Sequence, residues 1–237
     1  MIDLLKNKKV MLVVAHPDDE LLGLGASMHK LIHADKTTVH VVILGEGITS
    51  RSDQRNLKQW EIELDVHKKN IVDAQKVIGY HSLSIYDFPD NRFDSVNLLD
   101  IIKVIEKEKN EFQPDVIFTH HGGDLNIDHQ KTFDAVITAC RPIETEKVKT
   151  IISFETPSGT EWRASTNPNH FVPNFFVEVS EENILAKIKA MECYEFEKRK
   201  YPHPRSPEAL KILAQRWGIS SGCSYAEAYC LVRSIQC

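Results

Sequence analysis

Histidine and carboxylate side chains follow an apolar run near the start of the chain, in the sequence AHPDDE. His16 and Asp19 lie three residues apart across a predicted strand-to-helix turn, so that both side chains can point to the same side. An imidazole and a carboxylate together suit a borderline cation such as zinc. Acidic residues also favour helix N-termini for electrostatic reasons alone. That preference does not explain a histidine placed directly after a buried strand, so AHPDDE indicates a metal site.

A second polar cluster, HHGGDLNIDH, follows a later apolar run. Within it, Asp128 and His129 open a predicted helix. A catalytic zinc site commonly has three protein ligands and a fourth position that is open to water. An isolated histidine at a helix start would be assigned to capping or to the surface. Next to the first cluster, His129 is instead well placed to complete a His–Asp–His ligand set.

Strand and helix patterns alternate along the first two thirds of the chain. Continuous apolar runs predict buried strands, and apolar residues at helical spacing predict the helices between them. The predicted strands are 9–15, 39–44, 83–88, 114–119 and 150–154, and the predicted helices are 19–34, 57–78, 96–109 and 129–140. Beyond them we predict a strand at 175–179 and helices at 182–198 and 207–217, whereas 226–235 is ambiguous.

This alternation predicts an α/β fold: a Rossmann-like three-layer sandwich with a mostly parallel sheet and C-terminal α/β additions. We expect one domain over residues 1–237, because the length suits a single core. Ligands bind outside the carboxyl ends of the strands in such sheets. Polar residues follow all five of the first predicted strands, so the sequence predicts a site at that edge.

Composition excludes several classes of protein. The net charge of -5 argues against a protein that coats nucleic acid. No apolar run approaches the length of a membrane span, and none has the form of a secretion signal. The five cysteines form no Cys-x-x-Cys pair, so we expect reduced thiols in a cytoplasmic protein and a metal held by histidine and carboxylate. Composition leaves a homo-oligomer open.

The AHPDDE block and the downstream Asp-His pair resemble the LmbE/PIG-L-like family of zinc-dependent N-acetylglucosaminyl deacetylases. The segments GEGITSR, FPDNRFD and HxxGDLNIDH occur in the family's order, so the resemblance covers most of the chain. It implies one Zn²⁺ per chain, other divalent metals remaining open, and a small amino-sugar substrate that loses its acetyl group as acetate. By position, His16, Asp19 and His129 match the metal ligands, and Asp18 matches the general base that activates the zinc-bound water.

Two departures from the family pattern concern the remaining site residues. Many members have a histidine where this chain has Asn126, which cannot act as an acid. Asn126 could still donate a hydrogen bond to an oxyanion, or His121 could reach in from the strand end. Several members also have an arginine near the position of His67, so Arg51 or Arg92 would have to supply a positive contact to substrate. Asp94 lies where the family often has a sugar-binding acid.

The sequence also bears on three other functions. The Gly23-x-Gly25 pair does not indicate a dinucleotide-binding oxidoreductase, because the glycine-rich turn of that fingerprint would occupy the place of HPDD. A metal-dependent phosphoesterase would typically use more acidic ligands for two metals. A non-catalytic sugar-binding protein on the same fold has no need of Asp18 as a base. The last two remain the alternatives to a deacetylase.

Overall fold

The computed structural model describes residues 4–236, which leaves Cys237 outside the described residues. Seven strands and six α-helices are present in that part of the chain. The strands are β1 Lys9–Val14, β2 Thr38–Gly45, β3 Ser82–Phe88, β4 Val116–His120, β5 Thr150–Phe154, β6 Phe175–Glu178 and β7 Ala226–Ser234. The helices are α1 Asp19–His33, α2 Glu61–Ile78, α3 Leu98–Phe112, α4 Ile127–Ala139, α5 Glu181–Met191 and α6 Pro207–Ser221.

The strands form one sheet in the order β3-β2-β1-β4-β5-β7-β6. The first five are parallel neighbours, and β7 runs antiparallel between β5 and β6. The predicted α/β fold with a mostly parallel sheet is therefore confirmed. The chain builds the sheet outwards from β1 to β3 and then returns to the other side of β1 with β4. This reversal creates a crevice beyond the carboxyl ends of β1 and β4, where open α/β sheets bind ligands.

Two apolar layers hold the sheet between its helices. Alternate residues of β1 point into opposite layers: Val10, Leu12 and Val14 pack in one, and Met11 and Val13 pack in the other. All five of these side chains are fully buried. The continuous apolar sequence of β1 thus follows from its central place in the sheet, where neither face meets water.

Glycines mark a close contact of α1 and the end of α2. A Cβ on Gly23 would lie 2.2 Å from the ring of Phe154, so any side chain there would push α1 away from the sheet. This close packing accounts for the glycine pair that a dinucleotide fingerprint would otherwise suggest. Gly79 ends α2 with φ 92°, the left-handed conformation that glycine adopts without strain.

The C-terminal third differs from the sequence prediction at two places. The predicted helix 182–198 ends at Met191, and residues 192–206 form turns instead. The ambiguous segment 226–235 is the strand β7, which pairs with β5 on one side and β6 on the other. Both differences have long-range causes, because cross-strand pairing and contacts with distant loops are not encoded in local periodicity. No helix within residues 4–236 is long and apolar enough to cross a membrane.

Candidate metal centre and active site

His16, Asp19 and His129 meet at the crevice between β1 and β4. The potential ligand atoms of these three buried side chains lie within 4.8 Å of one another. Asp19 Oδ2 is the common neighbour, at 3.4 Å from His16 Nδ1 and 3.3 Å from His129 Nε2. His16 follows β1, Asp19 starts α1, and His129 lies in the first turn of α4. The sheet reversal therefore brings His129 next to His16 and Asp19, which precede it by more than a hundred positions in sequence.

Carboxylates contact the outer nitrogens of both histidines. His16 Nε2 lies 2.8 Å from Asp128 Oδ2, and Asp128 Oδ1 accepts a hydrogen bond of 2.8 Å from the backbone N–H of Phe93. His129 Nδ1 lies 3.1 Å from Asp124 Oδ1, although the two are not aligned as a hydrogen bond. Carboxylates in these positions fix the tautomer and orientation of metal-ligating histidines. They leave His16 Nδ1 and His129 Nε2 facing the cluster.

A second group of three buried residues could also hold a cation: His16, Asp90 and Asp128. It would use His16 Nε2, which lies 3.4 Å from Asp90 Oδ1 and already contacts Asp128. One imidazole cannot donate its Nε2 proton to a carboxylate and bind a metal through the same atom. We therefore assign Asp128 as the hydrogen-bonding partner of His16 and keep the first group as the candidate ligand set.

His120 lies beside the cluster without belonging to it. Its ring stacks on His129 with centroids 3.9 Å apart. Nε2 accepts a hydrogen bond from the backbone N–H of Ala15, and Nδ1 lies 3.0 Å from the Thr156 hydroxyl. Because the Nε2 lone pair is used, His120 is not free to act as a ligand through that atom. Burial and the neighbouring His129 hold the pKa of His120 well below its usual value, so its ring is neutral.

The charges of the cluster fit a bound cation. Burial alone would lower the pKa of His16, but contacts with Asp128 and Asp19 outweigh it and raise that pKa. Burial likewise disfavours charge on His129, yet the carboxylates of Asp19 and Asp124 raise its pKa to about 9. The pKa of Asp19 is lowered, since the histidines outweigh its desolvation. The site thus stabilises positive charge, and its nitrogen and oxygen donors are those that Zn²⁺ prefers.

Asp18 lies beside these residues but points its carboxylate elsewhere. Its backbone adopts φ 97°, a left-handed conformation that is strained for a residue with a Cβ. Oδ2 accepts a 2.7 Å hydrogen bond from Nη1 of Arg205. Burial and neighbouring acidic groups raise the pKa of Asp18, against the opposing effect of Arg205. Within residues 4–236 no hydrogen bond reaches Oδ1, which leaves that oxygen available to a substrate or water.

A polar cavity of about 130 Å³ opens beside Asp18. Its lining includes some of the predicted site residues and others that the sequence did not single out. The residues that line it are His16, Pro17, Asp18, Gly47, Ile48, Ser50, Arg51, His67, Asp90, Asn91, Asn126, Glu197 and Arg205. Arg51 and Asn126 are thus brought to the site, whereas His121, Asp94 and Arg92 are absent from this lining.

The residues outside the cavity have other contacts or face solvent. His121 Nε2 lies 2.8 Å from the backbone oxygen of Asn169. Asp94 is exposed in the short 3-10 helix Phe93–Ser95, and Asp90, four residues earlier, occupies the cavity wall instead. The sequence pattern locates the loop after β3, but it does not show which acidic residue of that loop lines the cavity.

Asn126 is held at the start of α4 by both ends of its amide. Its Oδ1 accepts a 2.8 Å hydrogen bond from the backbone N–H of Asp128, which makes it the N-cap of the helix. Its Nδ2 donates to Asn91 Oδ1 at 2.9 Å. These two bonds therefore fix the orientation of the amide. An amide nitrogen carries two protons, so one N–H remains beyond the bond to Asn91.

His67 forms part of the cavity wall as a neutral side chain. Its ring stacks on Phe196 with centroids 5.6 Å apart, and neither ring nitrogen has a hydrogen-bond partner among the described residues. Burial, together with the positive charge of Arg51, lowers its pKa to about 4. His67 therefore supplies no positive charge to the cavity, whose lining includes two arginines, Arg51 and Arg205.

Comparison with known proteins gives consistent matches. A family model described as GlcNAc-PI de-N-acetylase (PIG-L) matches residues 11–140. The chain is 30% identical over 191 residues to YaiS of Escherichia coli, an uncharacterized deacetylase, covering 78% of this chain and 90% of the relative. This family match bears out the resemblance that the AHPDDE and Asp-His blocks indicated.

Solved structures share the fold at low sequence identity. The N,N'-diacetylchitobiose deacetylase of Pyrococcus horikoshii superposes with a TM-score of 0.74 at 17% identity, covering 95% of this chain and 84% of that one. The 4-carboxy-2-hydroxymuconate hydratase GalB of Pseudomonas putida superposes with a TM-score of 0.71 at 19% identity, covering 97% and 98%. Because a deacetylase and a hydratase share this architecture, the fold by itself does not determine the reaction.

Proposed function

Because the chain belongs to the GlcNAc-PI de-N-acetylase (PIG-L) family and is a deacetylase, we propose that it is a zinc-dependent hydrolase of N-acetylated amino sugars. The reaction releases acetate and a free amine. One observation carries this proposal: Asp18, whose Oδ1 has no hydrogen bond within residues 4–236, lines a polar cavity beside the candidate ligand set His16, Asp19 and His129. A single cation per chain suits these three donors.

When bound, a divalent cation in this position lowers the pKa of a coordinated water and polarises the acyl oxygen of the substrate. The chain's own residues then have separate tasks. His16, Asp19 and His129 hold the cation, and Asp128 and Asp124 orient the two histidines. The raised pKa of Asp18 brings its carboxylate closer to the range in which a group both accepts and returns a proton.

Asp18 is the proposed general base. Its Oδ1 takes a proton from the attacking water and later passes it to the nitrogen of the leaving amine. One carboxylate can serve both steps because the proton that it gains in the first is the one that it loses in the second. No other acid is then required at the position of Asn126.

Asn126 is the proposed donor to the oxyanion that forms on the acyl carbon. Its Oδ1 is occupied by the N-cap bond from Asp128 N, and its Nδ2, which donates one proton to Asn91, has a second proton to offer a substrate. A fixed donor of this kind stabilises developing charge without reorganising during the reaction. His121, predicted from its place at the strand end, and Asp94, suggested by the resemblance, remain predictions for substrate contacts outside this cavity.

The cavity favours a sugar over an apolar amide. Its lining supplies hydroxyl, amide, carboxylate and guanidinium groups, which match the hydroxyls of an amino sugar. Arg51 is the proposed cationic contact to substrate. The Pyrococcus horikoshii structure, a deacetylase of an N-acetylated disaccharide, supports a substrate of this class. We retain as proposals that residues 1–237 form one domain and that the protein works in the cytoplasm.

An acetate-release screen tests the proposal. Protein loaded with Zn²⁺ is incubated separately with N-acetylglucosamine, N,N'-diacetylchitobiose and a UDP-linked N-acetylated sugar, and acetate and free amine are measured. We expect equal amounts of both products from at least one substrate. Phosphate release from phosphorylated sugars without acetate would favour the phosphoesterase alternative. Sugar binding without any turnover would favour a binding protein.

A further inference from the structure

Arg205 lies outside residues 11–140, the part of the chain that the family model matches, yet its guanidinium reaches the proposed base. It belongs to the turns between α5 and α6, where the sequence pattern wrongly predicted that the helix would continue as far as residue 198. We propose that Arg205 is a positioning residue: it anchors one oxygen of Asp18 so that the other faces the cavity. The inference rests on the proposed function, in which Asp18 is the base.

The contacts of Arg205 fix its guanidinium from several sides. Nε donates a 2.7 Å hydrogen bond to the hydroxyl of Ser158, in the loop after β5. Nη1 donates to Asp18 Oδ2 at 2.7 Å and lies 3.1 Å from Glu197 Oε2. Glu197 in turn pairs with Arg51, which also lines the cavity. The arginine is therefore held by the loop after β5 and by Glu197 of its own segment as well as by Asp18.

Asp18 needs such an anchor because its backbone is strained. A non-glycine residue at φ 97° persists only where surrounding contacts over-determine it. The backbone N–H of Asp18 donates to Glu20 Oε2 at 3.0 Å, which fixes the main chain but not the carboxylate. The bond from Arg205 supplies the remaining restraint, and it engages Oδ2 alone. This division of the two oxygens leaves Oδ1 as the one that can exchange a proton.

Lysine is not expected to replace arginine at this position. A planar guanidinium donates through Nε and Nη1 in fixed, different directions. Arg205 uses this geometry to join Ser158 and Asp18 at once. A lysine ammonium on a flexible stem would keep the charge but lose the fixed geometry, so Arg205→Lys should recover only part of the rate.

The test compares Arg205→Ala with Arg199→Ala, each on zinc-loaded protein and with the best substrate of the acetate screen. Arg199 also contacts Glu197, at 3.3 Å, but no contact joins it to Asp18, which makes it a matched control. For Arg205→Ala we expect kcat to fall about 10- to 100-fold, the loss that removal of a charge-assisted hydrogen bond implies, with a much smaller change in KM. Metal content should stay close to wild type. Arg199→Ala should retain the wild-type kcat.

Two further measurements separate positioning from a structural effect. Methylguanidine at millimolar concentration should restore part of the activity of Arg205→Ala and none of that of Asp18→Asn. In the Asp18→Asn background, Arg205→Ala should have little further effect on kcat, because both changes disable the same step. Equal losses in the two backgrounds, or no rescue by methylguanidine, would overturn the proposal.

Crystal structures give a readout that does not depend on the reaction. In wild type the Asp18 carboxylate should keep Oδ2 on Arg205, and in Arg205→Ala it should turn or occupy several orientations. If Asp18 is unchanged in the variant, the inference fails even where deacetylation is confirmed. If the wild type releases no acetate from any substrate tested, the proposed function fails, whereas the orientation experiment still reports on the anchor.

Discussion

Asp128→Asn tests whether the carboxylate behind His16 supports a metal ligand. Asp128 uses both oxygens as acceptors, one facing His16 Nε2 and one facing the backbone N–H of Phe93, each at 2.8 Å. An asparagine of the same shape has one acceptor oxygen and one NH₂ group. In one of these two contacts the NH₂ group would therefore face another N–H donor. Either His16 loses its orienting partner or the Phe93 loop shifts. Loss of such a partner typically weakens metal binding about 10- to 100-fold, which is about 1.4–2.7 kcal/mol.

The assay is a competition titration of zinc between the protein and a chelator of known affinity. Asp134→Asn is the matched control, because it makes the same change of charge on the exposed face of the same helix. We expect Asp128→Asn to raise the Kd for Zn²⁺ at least 10-fold and Asp134→Asn to leave it within about twofold of wild type. Equal affinity in all three proteins would refute the assignment of Asp128 as the partner that orients His16. A loss in both variants would point to net charge alone.

Three further predictions address the base, the amide donor and a buried acid. Asp18→Asn should lower kcat about 10²- to 10⁴-fold with unchanged metal content; loss of the metal, measured by elemental analysis, would mean that Asp18 is a ligand. Asn126→Ala should lower kcat by about 10- to 10³-fold and destabilise the fold by about 1 kcal/mol through loss of the α4 cap. Steady-state rates measure the first effect and denaturant titration measures the second. An unchanged kcat would argue against an oxyanion role for Asn126. Burial raises the pKa of Glu155 to about 7 despite its bond from Trp217, so the folded state holds this proton at pH values where the unfolded state has lost it. The free energy of unfolding should therefore fall as pH rises from about 4.5 to 7, and Glu155→Gln should stabilise the protein more at pH 8 than at pH 5, by on the order of 2 kcal/mol; an equal effect at both pH values would contradict this.

The parallel sheet and the grouping of His16, Asp19 and His129 were accessible from sequence because each depends on local pattern and chain order. Buried strands appear as apolar runs such as VMLVV, and the residues after them must lie at one edge of the sheet. His16, Asp19 and His129 could therefore be placed together before any distance was known. The contact between Asp128 and His16 could not be predicted, although the next residue, His129, could be placed at the site. The direction of a side chain within a helix turn depends on the loop packed against it.

The part of the site contributed by the C-terminal third could not be predicted. Arg205 and Glu197 lie in turns whose sequence, with charged residues at near-helical spacing, is also compatible with a solvated helix. Their position depends on contacts with Asp18, Arg51 and Ser158, which are distant in the chain. Likewise, Asp90 and Asp94 lie close together in the segment after β3 and are the same type of residue. Only packing determines that Asp90 lines the cavity and Asp94 does not.

The central claim is most directly tested by measuring how the amounts of both products depend on the amount of bound metal. Protein freed of metal by a chelator is titrated with Zn²⁺, and acetate and free amine formed from N,N'-diacetylchitobiose are measured at each addition, in parallel with His129→Ala. The account predicts that both products appear in equal amounts, that the rate rises with zinc and reaches a plateau near one ion per chain, and that His129→Ala neither retains the metal nor turns over. Full acetate release by the metal-free protein, or wild-type zinc binding and turnover in His129→Ala, would contradict it.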